Sequence, residues 1–191
     1  YMSSVKASAD TVQNILTENN LPNPITSYGR SKLAAENYLL SKTISKSKRL
    51  YILRPCMIHG PMNKGNLNLL YNFVSSRVPW PLGAFNNQRS YCSVENLLFI
   101  IKELIENKAI QSGIYNVSDD KPLSTNKVIL LIAKSLERNH LILKFPVNLV
   151  RLLSRLGDII KLPLNSENLK KLTESYVVCN KKIIQAIGKK L

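Results

Sequence analysis

Ser27-Tyr28-Gly29-Arg30-Ser31-Lys32 opens the run Leu33-Ala34-Ala35-Glu36-Asn37-Tyr38-Leu39-Leu40. Apolar residues recur there at helical rather than alternating spacing, which predicts a helix with Tyr28 and Lys32 one turn apart on one face. An ammonium beside a phenol favours the phenolate, the form that accepts a proton. The spacing alone is weak evidence: with 8 Tyr and 19 Lys in 191 residues, chance supplies roughly one such pair, and Tyr38 with Lys42 makes a second. The flanking segments distinguish the first pair from the second.

Upstream, Tyr1-Met2-Ser3-Ser4 reads as a strand end delivering two hydroxyls. Downstream, Arg49-Leu50-Tyr51-Ile52-Leu53-Arg54-Pro55 reads as another strand, closing at His59-Gly60-Pro61. Strand, serine, Tyr-x-x-x-Lys helix, strand ending in Arg-Pro, then Gly-Pro: this order resembles the extended short-chain dehydrogenase/reductase family of NAD-dependent epimerases and dehydratases.

The resemblance implies that Tyr28 is the acid/base at the sugar hydroxyl or carbonyl. It implies that Lys32 holds the nicotinamide ribose and that Ser4 hydrogen-bonds the reacting oxygen. Pro55, with Tyr28 and Lys32, belongs by the same resemblance to the cofactor site, the cofactor being NAD or NADP. The fold implied is α/β, the C-terminal part of a Rossmann-type doubly wound sheet with a small α/β substrate-binding subdomain. Residues 1–61 and 89–118 would form the partial Rossmann domain, and 62–88 and 119–191 the subdomain.

The seven glycines, at 29, 60, 65, 83, 113, 157 and 188, form no Gly-x-Gly-x-x-Gly turn for a pyrophosphate. Family members carry that turn near the N-terminus, so it is expected before Tyr1, and these 191 residues alone are expected to be inactive or unstable with an open sheet edge.

Pro79-Trp80-Pro81-Leu82-Gly83-Ala84-Phe85-Asn86-Asn87-Gln88-Arg89-Ser90-Tyr91 is rich in turn formers. It resembles the family's nucleotide-sugar segment, which makes Arg89 the diphosphate ligand, its planar fork matching phosphate oxygens. Asn66 is a candidate sugar or phosphate contact, and Trp80 a packing aromatic. Ser3-Ser4-Val5-Lys6, Pro-Leu-Gly-Ala with two asparagines, and Arg89-Ser90 resemble the branch that handles UDP-N-acetylhexosamines in surface-polysaccharide synthesis. A 4-keto reductase and a 4-epimerase both remain open, as does a noncatalytic fragment or nucleotide-sugar binding module. By family analogy a homodimer would pair through the Tyr-x-x-x-Lys helix.

The formal net charge is +15. It divides evenly, +7 over residues 1–95 and +8 over 96–191, without a lysine/arginine block, so a solvated basic surface is favoured over a nucleic-acid partner. Cys56, Cys92 and Cys179 are odd in number and far apart, which argues against a disulfide framework and for a reducing, cytoplasmic setting. Only His59 and His140 are available, so no metal site is expected. No apolar run approaches the ~18 residues of a membrane span.

Further helices are expected from Leu67 to about Val78, from Ser93 to Asn107, and from Thr125 to Arg138 with Ser124 as N-cap. Pro146 precedes a basic amphipathic run, residues 147–161. That run suits a membrane surface, but packing within the substrate subdomain is the favoured expectation.

Overall fold

The computed structural model describes residues 1–45, 47–61, 66–160 and 165–191; Asn66 is placed there by its backbone only. In chain order the elements are a 3-10 turn (Val5–Ala7), β1 (Ile15–Leu16), α1 (Ser27–Leu40), β2 (Tyr51–Pro55), β3 (Met57–His59), α2 (Asn66–Ser75), β4 (Tyr91–Ser93), α3 (Val94–Glu106), β5 (Gly113–Val117), α4 (Thr125–Ser135), α5 (Val147–Ile160), α6 (Ser166–Thr173), β6 (Val177–Val178) and α7 (Lys181–Ile187). They divide into two compact units: Tyr1–Pro61, Ser90–Pro122 and Tyr176–Leu191 form the first, Met62–Arg89 and Leu123–Ser175 the second.

In the first unit, β2 and β5 run parallel, with Tyr51 opposite Gly113 and Pro55 opposite Val117. The N-terminal residues extend this sheet: the Ser3 N–H donates to the Leu53 carbonyl at 2.7 Å and the Leu53 N–H to the Tyr1 carbonyl at 2.9 Å. β3 pairs with β4 and β1 with β6, also in parallel. Side chains alternate across a strand, and β2 uses both faces. Leu53 joins Leu97 and Ile100 of α3 and Ile183 and Ile187 of α7 in the apolar core. Arg54, pointing the other way, reaches α1. Coverage of both faces is what a parallel sheet requires.

Tyr176–Leu191 belong to this unit, whereas the family resemblance implies a subdomain running through 119–191. Their attachment is specific. β6 pairs with β1, and the Tyr176 hydroxyl donates to the Ala9 carbonyl at 2.6 Å and to the Val5 carbonyl at 3.3 Å. α7 ends at Gly188, whose φ of 68° is the left-handed conformation glycine adopts without strain.

In the second unit, α2 packs on α4 and α5 on α6. Trp80 is buried, packs edge-on against Phe73 with ring centroids 5.2 Å apart, and donates its indole N–H to Asn126 at 2.9 Å. Residues 141–145 contribute two isolated bridges, Trp80 with Ile142 and Leu82 with Lys144, rather than a full strand. α5 packs within this unit through Val150, Ser154 and Gly157 and leaves its four leucines outside. Among the described residues, no helix is long and apolar enough to cross a membrane.

Candidate active site

The start of α1 is fixed from three sides. Thr26, in extended backbone conformation, is the N-cap, its hydroxyl accepting the Gly29 N–H at 3.1 Å. Ser27 is the first helical residue. Asp10 reaches back across the 8–26 segment to accept from the Ile25 N–H at 2.6 Å, the Thr26 N–H at 3.0 Å and the Thr26 hydroxyl at 2.9 Å. Gly29 completes the anchorage by close approach, since a Cβ there would collide with the Lys6 carbonyl oxygen.

With α1 so placed, the Tyr28 side chain is 53% exposed. Lys32 Nζ lies 5.8 Å from the Tyr28 ring centroid and 5.5 Å from that of Tyr1, and donates to the Met2 carbonyl at 3.2 Å. Two residues beyond that carbonyl, Ser4 caps the 3-10 turn, its hydroxyl oxygen accepting the Lys6 N–H at 3.2 Å and its own proton remaining to donate. Tyr28, Lys32 and the Ser4 segment therefore gather at one end of α1. Tyr38 and Lys42 make a closer ring contact, 4.3 Å, but sit ten residues further along α1, about 15 Å away by helical rise. Proximity of a cation is thus not what distinguishes Tyr28.

Beneath the site lies a buried charge cluster. Arg54 donates from Nε to Glu36 Oε1 at 3.0 Å and from Nη2 to Oε2 at 2.5 Å, and the Ser3 hydroxyl donates to the same carboxylate. Glu36 is 0% exposed and Arg54 1%. A desolvated carboxylate needs this full set of donors. The pair holds α1 on β2 and so fixes the position of Tyr28 relative to Ser4. Reading the sequence for chemistry missed this cluster. The available signal was a charge on each packing surface: Glu36 lies two turns beyond Gly29 on one helix face, and Arg54 sits inside an apolar strand.

Pro55 ends β2, is buried, and pairs with Val117. Cys56 and Cys92 are buried in the apolar core of the first unit. Burial pushes the Cys56 thiol well above its ordinary value, with Cys92 and Asp119 adding to the effect; burial and then Asp119 push Cys92 up to about 12. Among the described residues no three His, Cys, Asp or Glu side chains gather as a metal site would require.

Arg89 belongs to the second unit. Its backbone exchanges two hydrogen bonds with Leu123, at 2.9 and 2.8 Å, and its Nη1 donates to the Lys171 carbonyl in the last turn of α6, where helix carbonyls lack intrahelical partners. Its neighbour Asn87 is a buried latch. Nδ2 donates to the Thr125 hydroxyl at 2.9 Å and to the Leu172 and Glu174 carbonyls at 3.3 Å each, while Oδ1 accepts the Thr125 N–H at 3.0 Å. Asn66 opens α2, and its side chain lies outside the described residues.

A parallel sheet covered on both faces, with a Tyr-x-x-x-Lys helix leaning on a serine-bearing turn, defines a Rossmann-type α/β protein. The chain belongs to the 3-beta hydroxysteroid dehydrogenase/isomerase family, whose sequence profile matches residues 1–147. A UDP-glucose 4-epimerase from Vibrio cholerae is 30% identical over 141 residues, 72% of this chain and 43% of that protein. An N-acetyl-alpha-D-glucosaminyl-diphospho-ditrans,octacis-undecaprenol 4-epimerase from Escherichia coli O157:H7 is 30% identical over 123 residues, 63% of this chain and 37% of that protein. The chain thus spans less than half the length of these curated relatives. The crystal structure of the Bordetella bronchiseptica enzyme WbmG in complex with NAD and UDP has the same fold, with a TM-score of 0.69 over 99% of this chain and 53% of that one at 17% identity.

Proposed function

We propose that these residues are the catalytic and sugar-binding portion of an NAD- or NADP-dependent enzyme acting at C4 of a nucleotide sugar. The substrate class is a UDP-N-acetylhexosamine used in surface-polysaccharide synthesis, and the setting is the cytoplasm. The carrying observation is the placement of Lys32 Nζ 5.8 Å from an exposed Tyr28 ring, beside the turn that Ser4 caps. The two curated relatives, both sugar 4-epimerases, support the reading.

The residues present suit the nicotinamide end of the cofactor. Lys32 offers an ammonium with donors beyond the one given to Met2, in reach of ribose hydroxyls, and Tyr28 stands open beside it. When bound, the cofactor accepts or returns a hydride at the sugar carbon. The Tyr28 hydroxyl moves the proton at the sugar oxygen, and the Ser4 hydroxyl donates a hydrogen bond that holds this oxygen in line. Lys32 supplies positive charge where negative charge develops on the phenol oxygen. Pro55 borders the cofactor, Arg89 takes the diphosphate and Asn66 touches the sugar or phosphate, on the sequence pattern that singles them out. A homodimer through α1 is consistent with its exposed Tyr38 and Leu40.

The test is Tyr28→Phe in the native gene product, assayed with UDP-N-acetylglucosamine and both nicotinamide cofactors. Loss of roughly 10²- to 10⁴-fold in kcat is expected, with UDP-sugar binding retained. Undiminished turnover would sink the assignment, and a wild-type protein that binds the sugar without converting it would make this a binding module. With a 4-keto UDP-sugar as substrate, stoichiometric nicotinamide oxidation marks a reductase; turnover of UDP-N-acetylglucosamine without net oxidation marks an epimerase.

A further inference from the structure

α5 carries its apolar residues on the wrong side for a core helix. Leu149, Leu152, Leu153, Leu156, Ile159 and Ile160 are between 45% and 77% exposed, while Val150, Ser154 and Gly157 are buried. At about 100° per residue the six exposed side chains form one stripe roughly 120° wide, turned well away from the small buried face. Arg151, Asp158 and Arg155 occupy the arc between the two. Phe145, just before the helix, is exposed as well. Among the described residues, nothing covers this helix's leucines, which repeat at i, i+3, i+4 and i+7 but face outward.

The flank of the stripe says what that partner is. Arg151 and Arg155 line a cavity of about 290 Å³ with Lys170, Ser166 and Thr173 of α6, and no carboxylate is among its lining residues. Three cations beside an apolar stripe match a surface that is apolar inside and anionic at its rim. A second copy seated on this same face complements it poorly, because it would bring its own Arg151, Arg155 and Lys170 against these.

We propose that α5 is a membrane-interface helix. Its leucine stripe enters the boundary between headgroups and acyl chains of an anionic phospholipid bilayer, and Arg151, Arg155 and Lys170 receive the headgroup phosphates. The helix lies in the plane of the surface and does not span it. The exposed leucines are accounted for by the bilayer that covers them, and the small residues opposite by the close packing of α5 on its own unit. This assignment is independent of the chemistry at Tyr28 and stands whichever sugar is turned over.

The native gene product is sedimented with vesicles of phosphatidylcholine alone and of phosphatidylcholine with phosphatidylglycerol, beside the variants Leu152→Ser/Leu156→Ser and Arg151→Gln/Arg155→Gln. The wild type is expected to bind the anionic vesicles, more weakly as salt rises. The leucine variant should bind at least roughly tenfold more weakly, with unchanged Tm and solution mass. The arginine variant should lose most of the preference for anionic over neutral vesicles. Failure of the wild type to sediment, or equal binding by the leucine variant, overturns the proposal. A leucine variant with a smaller solution mass assigns the stripe to a second copy, and one with a lowered Tm assigns it to the protein's own packing; either result overturns it too.

Discussion

Ser3 and Ser4 are adjacent and chemically identical, yet their hydroxyls do different things. Ser3 donates to the buried Glu36 carboxylate, whereas Ser4 caps the 3-10 turn at the candidate site. Ser3→Ala should therefore lower stability by about 1–3 kcal/mol in urea unfolding, because a buried carboxylate loses a donor. Ser4→Ala should leave the unfolding midpoint nearly unchanged and cost on the order of 10²-fold in kcat. The reverse pattern would exchange their roles. That Tyr28 and Lys32 share a face of α1 was legible in the sequence because helical spacing fixes it. The Ser3–Glu36–Arg54 cluster was not, because it depends on which face of β2 meets α1, and pairing across 18 and 33 positions sets that.

At the scale of the element, α1 is positioned by its first turn. Gly29→Ala would push a methyl group into the Lys6 carbonyl, which is backbone and cannot swing aside. We expect roughly 1–3 kcal/mol of destabilisation and a fall in kcat larger than the change in KM, read from thermal unfolding and steady-state kinetics on the same sample. Asp10 gives the same anchor a pH dependence. Burial pushes its carboxyl up, but the N–H groups of Thr26 and Ile25, the Thr26 hydroxyl and the charge of Lys6 together hold it below the usual aspartate range. A depressed folded value means the clamp contributes fully above the unfolded value, near ~3.9, and is lost as pH falls through the lower folded one. Amide exchange at Ile25 and Thr26 should be protected near neutrality and released in that acid window. In Asp10→Asn, exchange at these amides should be faster at neutrality and insensitive to that pH step.

Element types were largely readable. α3 and α4 fall where periodicity and caps place them, with Ser93 and Ser124 each accepting the N–H three residues on. The cap of α1 was not readable from local sequence, because Asp10, distant in sequence, holds Thr26 in the extended conformation that a cap needs. The two-residue strands β1 and β6 carry no readable period. They exist because they meet each other.

For the molecule as a whole, nothing in the sequence pattern tells that β6 and α7 belong to the first unit while α6 belongs to the second. The thiols report on that packing. Cys56 and Cys92 are buried with their thiols pushed up, whereas Cys179 is partly exposed. Iodoacetamide at pH 8 should label Cys179 in the native protein, and Cys56 and Cys92 only under conditions that unfold the first unit. Early labelling of Cys92 would show that the sheet opens locally.

One contact ties chemistry to the order in which the chain is made. Tyr176 holds the carbonyls of Val5 and Ala9, and so steadies the turn that presents Ser4, from a distance of more than 160 positions. A ribosome releases Ser4, Tyr28 and Lys32 long before it adds Tyr176. The turn that carries Ser4 thus waits, during synthesis, for a residue more than 160 positions downstream before it is held in place.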